Sequence, residues 1–485
     1  MIRWFLLLGG AGLLACAADT TAPTPDATLE PDFGATSDTV VLADASPSDT
    51  GADSVEPDIA EPPDTAEPPD TSEPADQGPP PPPPCVAPQY SMPVCAAGDC
   101  LFMVQTDAQE VQVLGDFNEW ADGTFLPPKP DCPGVFEGTV SATIPAGSIV
   151  EYKVKLDGEW ALDPSNPWVR FGPFGFNNGI ASATRGRMTV LTDVFSSALG
   201  NSRSLYVWVP PAYHANPDAD FPVLYLQDGF NVFANPAADF GSWDVELMAE
   251  ALGSEVILVG IDTEDRLDEY TYSAVEVGNR FTTPKLDLYA AFVADTVKPL
   301  IDTMFRTRTG PQDTGIAGSS LGGISAMYMA WTRSDVFGKV ASLSGSYWIG
   351  EEGNAGAPTM RAIIHANAEG IQPGDLQVYL DSGDTNSAGQ TSYLGDARAY
   401  TDWTRNALIA LGWDNQPEWD TDDDLTSPPD NLDSSTALAA VPGLAFAPGM
   451  DLPTGNLLSI VGVGHGHNEA AWQQRFELVL RFLYP

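Results

Sequence analysis

At 485 residues the chain is too long for one hydrophobic core of ordinary size, and its formal charge of −46 sets it apart from most globular proteins. Hydrophobic residues at 43% and aromatic residues at 10% are ordinary for folded protein, so two folded domains and an unfolded part are expected. An acidic surface repels phosphate backbones, which excludes nucleic acid as a partner.

The first 16 residues read as an export signal. Arg3 precedes an apolar run from Trp4 to Ala15, of signal-peptide length and too short to span a bilayer as a stable helix. The run ends Leu13-Leu14-Ala15-Cys16, which resembles the bacterial lipobox. That resemblance implies lipid on Cys16, removal of residues 1–15 and membrane attachment, and Ala17 in place of Asp points to the outer membrane or cell surface. The competing reading is an ordinary signal peptide with a chance Cys. No later segment is long and apolar enough to cross a membrane.

Residues 17–84 hold about 16 acidic residues and no Lys or Arg, and end in a proline run from Pro79 to Pro84. Little there offsets the entropy of folding, so a disordered stalk is expected, reaching on the order of 100 Å. Cys85, Cys95, Cys100 and Cys132 follow. An even number in an exported chain predicts two disulfides. All three pairings stay open, and zinc is the competing reading.

Residues 85–190 carry short β signals. Val111-Gln112-Val113-Leu114 and residues 150–156 alternate as strands, with turns at Gly115-Asp116, Asp122-Gly123 and Asp157-Gly158. A small Ig-like β-sandwich is the economical reading. From residue 191 to 485, apolar strands at 204–209, 222–226 and 256–261 alternate with helical stretches such as 286–304. This rhythm predicts an α/β domain with a mostly parallel sheet.

Inside that second domain, Gly318-Ser319-Ser320-Leu321-Gly322 joins an apolar strand to a helical stretch. G-x-S-x-G at a strand-to-helix turn is a nucleophile elbow, whose glycines let a strained Ser project from the turn. Ser319 is the adjacent rival but lacks the symmetric glycine spacing. The α/β-hydrolase order of Ser, acid, His excludes His214, and His365 falls in a helical stretch. His465 and His467 remain, in a loop between a strand and a C-terminal amphipathic helix. The acid should follow the strand Leu376-Gln377-Val378-Tyr379-Leu380. Asp381 sits too early, and Asp396 is preferred slightly over Asp384. The oxyanion hole needs two N–H groups, expected from Leu321 and from Phe230 in the turn Gln227-Asp228-Gly229-Phe230-Asn231. Asp420-Thr421-Asp422-Asp423-Asp424 lacks the Gly and Glu of a calcium loop and reads as a solvated insertion.

These segments together resemble the esterase family that includes esterase D, feruloyl esterases, enterochelin esterases and mycolyltransferases. The resemblance rests on Tyr206-Val207-Trp208-Val209-Pro210-Pro211, the Asp228 to Phe233 turn, Arg266 with Glu269-Tyr270, the Ser320 elbow, Ser342-Leu343-Ser344 and His467-Asn468-Glu469-Ala470-Ala471-Trp472. It implies an α/β-hydrolase fold, acyl-ester hydrolysis without a cofactor, and His467 as the base. The family's usual acid position, three residues after the Gly, is here Asn386, so a longer loop carries the acid. Residues of about 100 to 182 resemble a glycogen-binding-type module, through Gly115-Asp116-Phe117-Asn118-Glu119-Trp120, Tyr152-Lys153, Asp157-Gly158-Glu159-Trp160 and Asn177-Asn178. That resemblance puts Trp120, Lys153, Trp160 and Asn177 at sugar-binding positions, although the same sandwich also precedes these esterases as a spacer. The expectation is a serine esterase, acting on acylated polysaccharide. The alternatives are a siderophore-trilactone esterase and a non-catalytic surface-binding lipoprotein.

Overall fold

The computed structural model describes residues 91–238, 240–351, 356–386, 388–391, 395–413 and 444–485. Cys16, the stalk, Cys85 and the 420–424 cluster lie outside them.

The first region is all β. Strands β1 (Val94–Ala96), β2 (Asp99–Gln105) and β5 (Val135–Ser141) form one sheet. Strands β3 (Val111–Gly115), β4 (Thr124–Leu126), β6 (Ile149–Leu156), β7 (Glu159–Ala161), β8 (Val169–Gly172) and β9 (Gly175–Ala181) form the facing one. Alternation along β2 and β6 sends Phe102, Val104, Tyr152 and Val154 into a shared core and leaves the other face to solvent. Cys95 and Cys100 are bonded to each other across the β1–β2 turn, which rules out both as zinc thiolates; Cys132 is also disulfide-bonded.

The second region continues the same sheet. Strand β10 (Arg187–Ser196) meets β8 through Met188 and Val169 and pairs along its length with β11 (Asn201–Val209). A boundary between residues 190 and 191 therefore falls inside a ten-residue strand. The two regions share a 15-stranded sheet rather than joining through a linker. Beyond β11 come β12 (Val223–Gln227), β13 (Ile257–Ile261), a separate hairpin of β14 (Glu276–Val277) and β15 (Arg280–Phe281), then β16 (Thr314–Ser319), β17 (Lys339–Leu343), β18 (Gln377–Gly383), β19 (Leu444–Ala445) and β20 (Leu457–Gly462). Their order, β10-β11-β13-β12-β16-β17-β18-β20-β19, is parallel from β13 onward, as an α/β-hydrolase sheet requires.

Helices cover both faces, so the central strands are buried along their whole length, which explains their unbroken apolar runs. Tyr225, Ile257, Val259 and Ile316 face the helical segments Leu286–Phe292, Val293–Val297 and Lys298–Met304, and α2 (Leu321–Thr332). Leu224, Leu226, Leu258 and Ala317 face α1 (Val245–Leu252) and α4 (Glu469–Leu483). Each such Leu or Ile contributes on the order of 1.5–3 kcal/mol by leaving water. Helix α3 (Arg398–Ala410) follows β18. All the strand ends and loops that matter chemically meet at the carboxyl edge of this parallel sheet.

Candidate functional site

At the end of β16, Ser320 takes φ 56° and ψ −123° before α2 begins. An L residue pays strain to sit there, and its neighbours hold it in place. Ser320 N–H donates to Leu343 O at 3.0 Å, and Ser346 N–H donates to Ser320 O at 2.9 Å. The glycines are required by space. A Cβ on Gly318 would stand 2.6 Å from the Gly322 carbonyl, and one on Gly323 3.0 Å from Gly345 Cα.

His467 stands in the loop between β20 and α4, one residue before Asn468, whose side chain caps α4 by accepting from Ala471 N–H. Its Nε2 lies 2.8 Å from Ser320 Oγ, and its Nδ1 lies 2.5 Å from Asp396 Oδ1. The edge of the ring packs against Trp472. Asp396 is a buried residue at φ 49°, in the turn that precedes α3. Its Oδ2 accepts from Ser344 Oγ at 2.6 Å and from Gly383 N–H. Burial would raise this carboxyl's pKa, but the bond to His467, the His467 and Arg475 charges and the Ser344 hydroxyl together hold it below the usual range. An ionised Asp396 fixes the proton on Nδ1, leaving Nε2 to accept from Ser320.

Among the other candidates, Asp384 turns away from His467. Its Oδ1 accepts from Gly464 N–H at 2.7 Å, so it braces the histidine loop. Asp381 is fully buried mid-strand against Arg475. His465 contributes its carbonyl to Asp384 and Thr385 N–H, and its Nδ1 faces Arg475 at 3.1 Å. His214 packs edge-on to Trp168 and Tyr213, far along the chain from the elbow; burial, then Arg187 and Arg306, lowers its pKa to about 4. His365 is exposed on the helix Met360–Ala366.

Leu321 is the first residue of α2, where an N–H has no intrahelical acceptor. Phe230 lies in the helical turn Gly229–Val232. Its N–H donates to Asp262 Oδ1 at 2.9 Å, while Asp262 Oδ2 accepts from Tyr206 OH at 2.6 Å. In this structure that carboxylate therefore occupies the N–H expected for the oxyanion hole. Nearby, Asp228 holds Arg266 through two bonds, at 2.6 and 2.8 Å.

On the sandwich, the Trp120 and Trp160 rings lie 6.2 Å apart at 48°. Trp160 is 50% exposed, with Lys155 Nζ 4.8 Å above it. Trp120 Nε1 donates to Asp116, and Asn177 donates to Glu151 Oε2 at 2.8 Å. Lys153 stands on β6 two residues from Lys155, on the same outward face. Lys155 was missed by the motif comparison, although strand alternation identifies it.

Also missed as working residues were Arg475 and Asp262, while Asp381 was weighed only as the acid and Ser344 only as part of the Ser342-Leu343-Ser344 motif. The available signals were faint: a lone Asp directly after the apolar run Val378 to Leu380, inside β18, and an Arg three residues after Trp472 on the buried face of α4.

The family described as Putative esterase matches residues 196–436 of this chain. The Uncharacterized protein YbbA of Bacillus subtilis (strain 168) is 31% identical over 193 residues, covering 38% of this chain and 68% of that one. Among solved structures, a ferulic acid esterase is 18% identical, spans 62% of this chain and 98% of its own, and superposes with a TM-score of 0.39. The enterobactin esterase FES from Shigella flexneri, in the presence of 2,3-di-hydroxy-N-benzoyl-glycine, is 15% identical over 80% of this chain and 93% of its own, with a TM-score of 0.38.

Proposed function

The chain belongs to the Putative esterase family and is a serine carboxylic-ester hydrolase, and we propose that Ser320, His467 and Asp396 are its catalytic triad. The observation that carries this reading is the unbroken chain from Ser320 Oγ through both His467 nitrogens to Asp396 Oδ1, at 2.8 and 2.5 Å. Ser320 Oγ attacks the acyl carbon while His467 Nε2 takes its proton. The proton then passes to the departing alkoxide, leaving an acyl group on Ser320. Water repeats the sequence and releases the acid. Asp396 remains ionised, orients the ring and stabilises the imidazolium. The Leu321 N–H, at the head of α2, stabilises the oxyanion. The chemistry of these groups needs no cofactor.

The substrate proposed is an acyl ester carried on polysaccharide. Its support is the half-exposed Trp160 beside Trp120, with Lys153 and Lys155 on the same face. The engaged amide of Asn177 leaves the two indoles as the main contact surface. The location proposed is the outer membrane or cell surface, through lipid on Cys16, supported by the sequence Leu13 to Cys16.

Hydrolysis of p-nitrophenyl acetate by the chain and by Ser320→Ala tests the triad. Activity retained in the variant contradicts it. Acetylated and feruloylated polysaccharides then sort the acyl group. Trp120→Ala with Trp160→Ala should abolish retention on insoluble glucan, and equal retention makes the sandwich a spacer. Cys16→Ser should release the protein from membranes, and a membrane-bound variant places the anchor elsewhere.

A further inference from the structure

Beneath the triad, β17, β18 and α4 bring a set of polar side chains together in a place closed to water. Arg475 and Asp381 are fully buried, and Arg475 Nε lies 2.9 Å from Asp381 Oδ2. Arg475 Nη2 donates to Asp381 Oδ1 and to Ser344 Oγ, each at 3.0 Å. Trp472 Nε1 donates to the same Ser344 Oγ at 3.0 Å. Tyr379 OH donates to Asp381 Oδ2 at 2.9 Å.

The proton of the Ser344 hydroxyl can be located by counting. Guanidinium and indole nitrogens carry donors only. Ser344 Oγ therefore accepts from both, which uses its two lone pairs and leaves its single proton for Asp396 Oδ2, 2.6 Å away. Its backbone is held as firmly. Ser344 N–H donates to Asp381 O at 2.9 Å and Oδ1 at 3.1 Å, and the residue sits at φ 46° with no exposure. Strain at a buried serine that feeds the acid marks a position kept for something besides packing.

Resting on the triad reading above, we propose that Ser344 is a positioning residue of the esterase: its hydroxyl, directed by Trp472 and Arg475, sets the orientation and charge of Asp396. Arg475 acts through it, from 3.9 Å. The other titratable groups around this set are Asp381, Tyr379 and Tyr347 on the sheet side, and Asp384, His465 and His467 from the loops.

Removing the hydroxyl takes a donor from Asp396, so its carboxylate becomes more basic and holds the imidazolium more tightly. The ascending limb of kcat/KM against pH should then move upward. Ser344→Ala and Ser344→Gly both delete the hydroxyl, and Gly accepts the positive φ, so the second variant serves if the first fails to fold. For either folded variant we expect kcat to fall about tenfold or more with KM little changed. The limb should rise by roughly half a pH unit. Trp472→Phe, which keeps the hydroxyl but frees one lone pair, should move both quantities less.

A wild-type kcat and limb in Ser344→Gly overturn the proposal. So does a lower kcat with an unmoved limb, which is a structural effect only. Ser320→Ala run alongside separates the two readings. If that variant stays active, the triad assignment fails first. If it is inactive while Ser344→Gly behaves as wild type, only the role of Ser344 falls.

Discussion

Each region of the molecule buries an aspartate, and the two respond to burial in opposite ways. In the sandwich, Asp163 accepts from Tyr152 OH at 2.7 Å and Ser165 N–H at 2.9 Å, all from neutral donors. Desolvation outweighs those bonds, and its pKa rises to about 6. In the α/β region Asp396 is equally enclosed, yet His467, Arg475 and Ser344 hold it below the usual range despite desolvation. The difference lies in the partners and not in depth. Glu246 shows this within the α/β region itself: with Ala234 N–H on both its oxygens, burial pushes it to about 7. A fold can therefore bury carboxyls on either side, and of these three the one held below the usual range is the one set against His467.

The largest effect expected from breaking this contrast is catalytic. Asp396→Asn should lower kcat by about a hundredfold or more, because the amide no longer fixes the Nδ1–H tautomer. Asp384→Asn should change turnover far less, since an amide oxygen can still accept from Gly464 N–H. Turnover of both variants at matched melting temperature makes the comparison, and the reverse ranking would transfer the role to Asp384.

A smaller effect appears in stability. Asp163 has a folded pKa above its unfolded value, so the folded state binds more protons between about pH 4 and 6. Its stabilising contribution is present at the low end of that window and is lost as pH rises through it, on the order of 3 kcal/mol. Asp396, with a lowered pKa, works the other way. Its contribution is present above the unfolded value and is lost as pH falls toward the folded one. Denaturant midpoints across this window should show a slope that Asp163→Asn flattens while leaving ester turnover intact. An unchanged slope would mean that Asp163 is ionised throughout.

Much of this was legible in the sequence because it is local. Strand periods, the elbow glycines and the His-Asn-Glu-x-x-Trp run each concern residues close along the chain. What was not legible depends on tertiary contact. Asp396 and Asp384 differ only in which way a loop turns, and that is settled by Gly383 N–H and Ser344 reaching one of them. Asp262, just past the end of β13, reaches Phe230 from 32 residues away and takes the N–H that turn chemistry alone would leave open. The continuity of the sheet through Met188 and Val169 likewise rests on a single pairing that no pattern announces.

The central claim is that Ser320 carries the acyl group, and trapping that intermediate tests it most directly. Acid quenching within the burst of p-nitrophenyl ester hydrolysis, followed by peptide mass mapping, should find one acyl group per chain, on Ser320. The adduct should be missing from Ser320→Ala. An adduct on the neighbouring Ser319, or on Ser346, whose Oγ lies 3.5 Å from that of Ser320, would contradict the account.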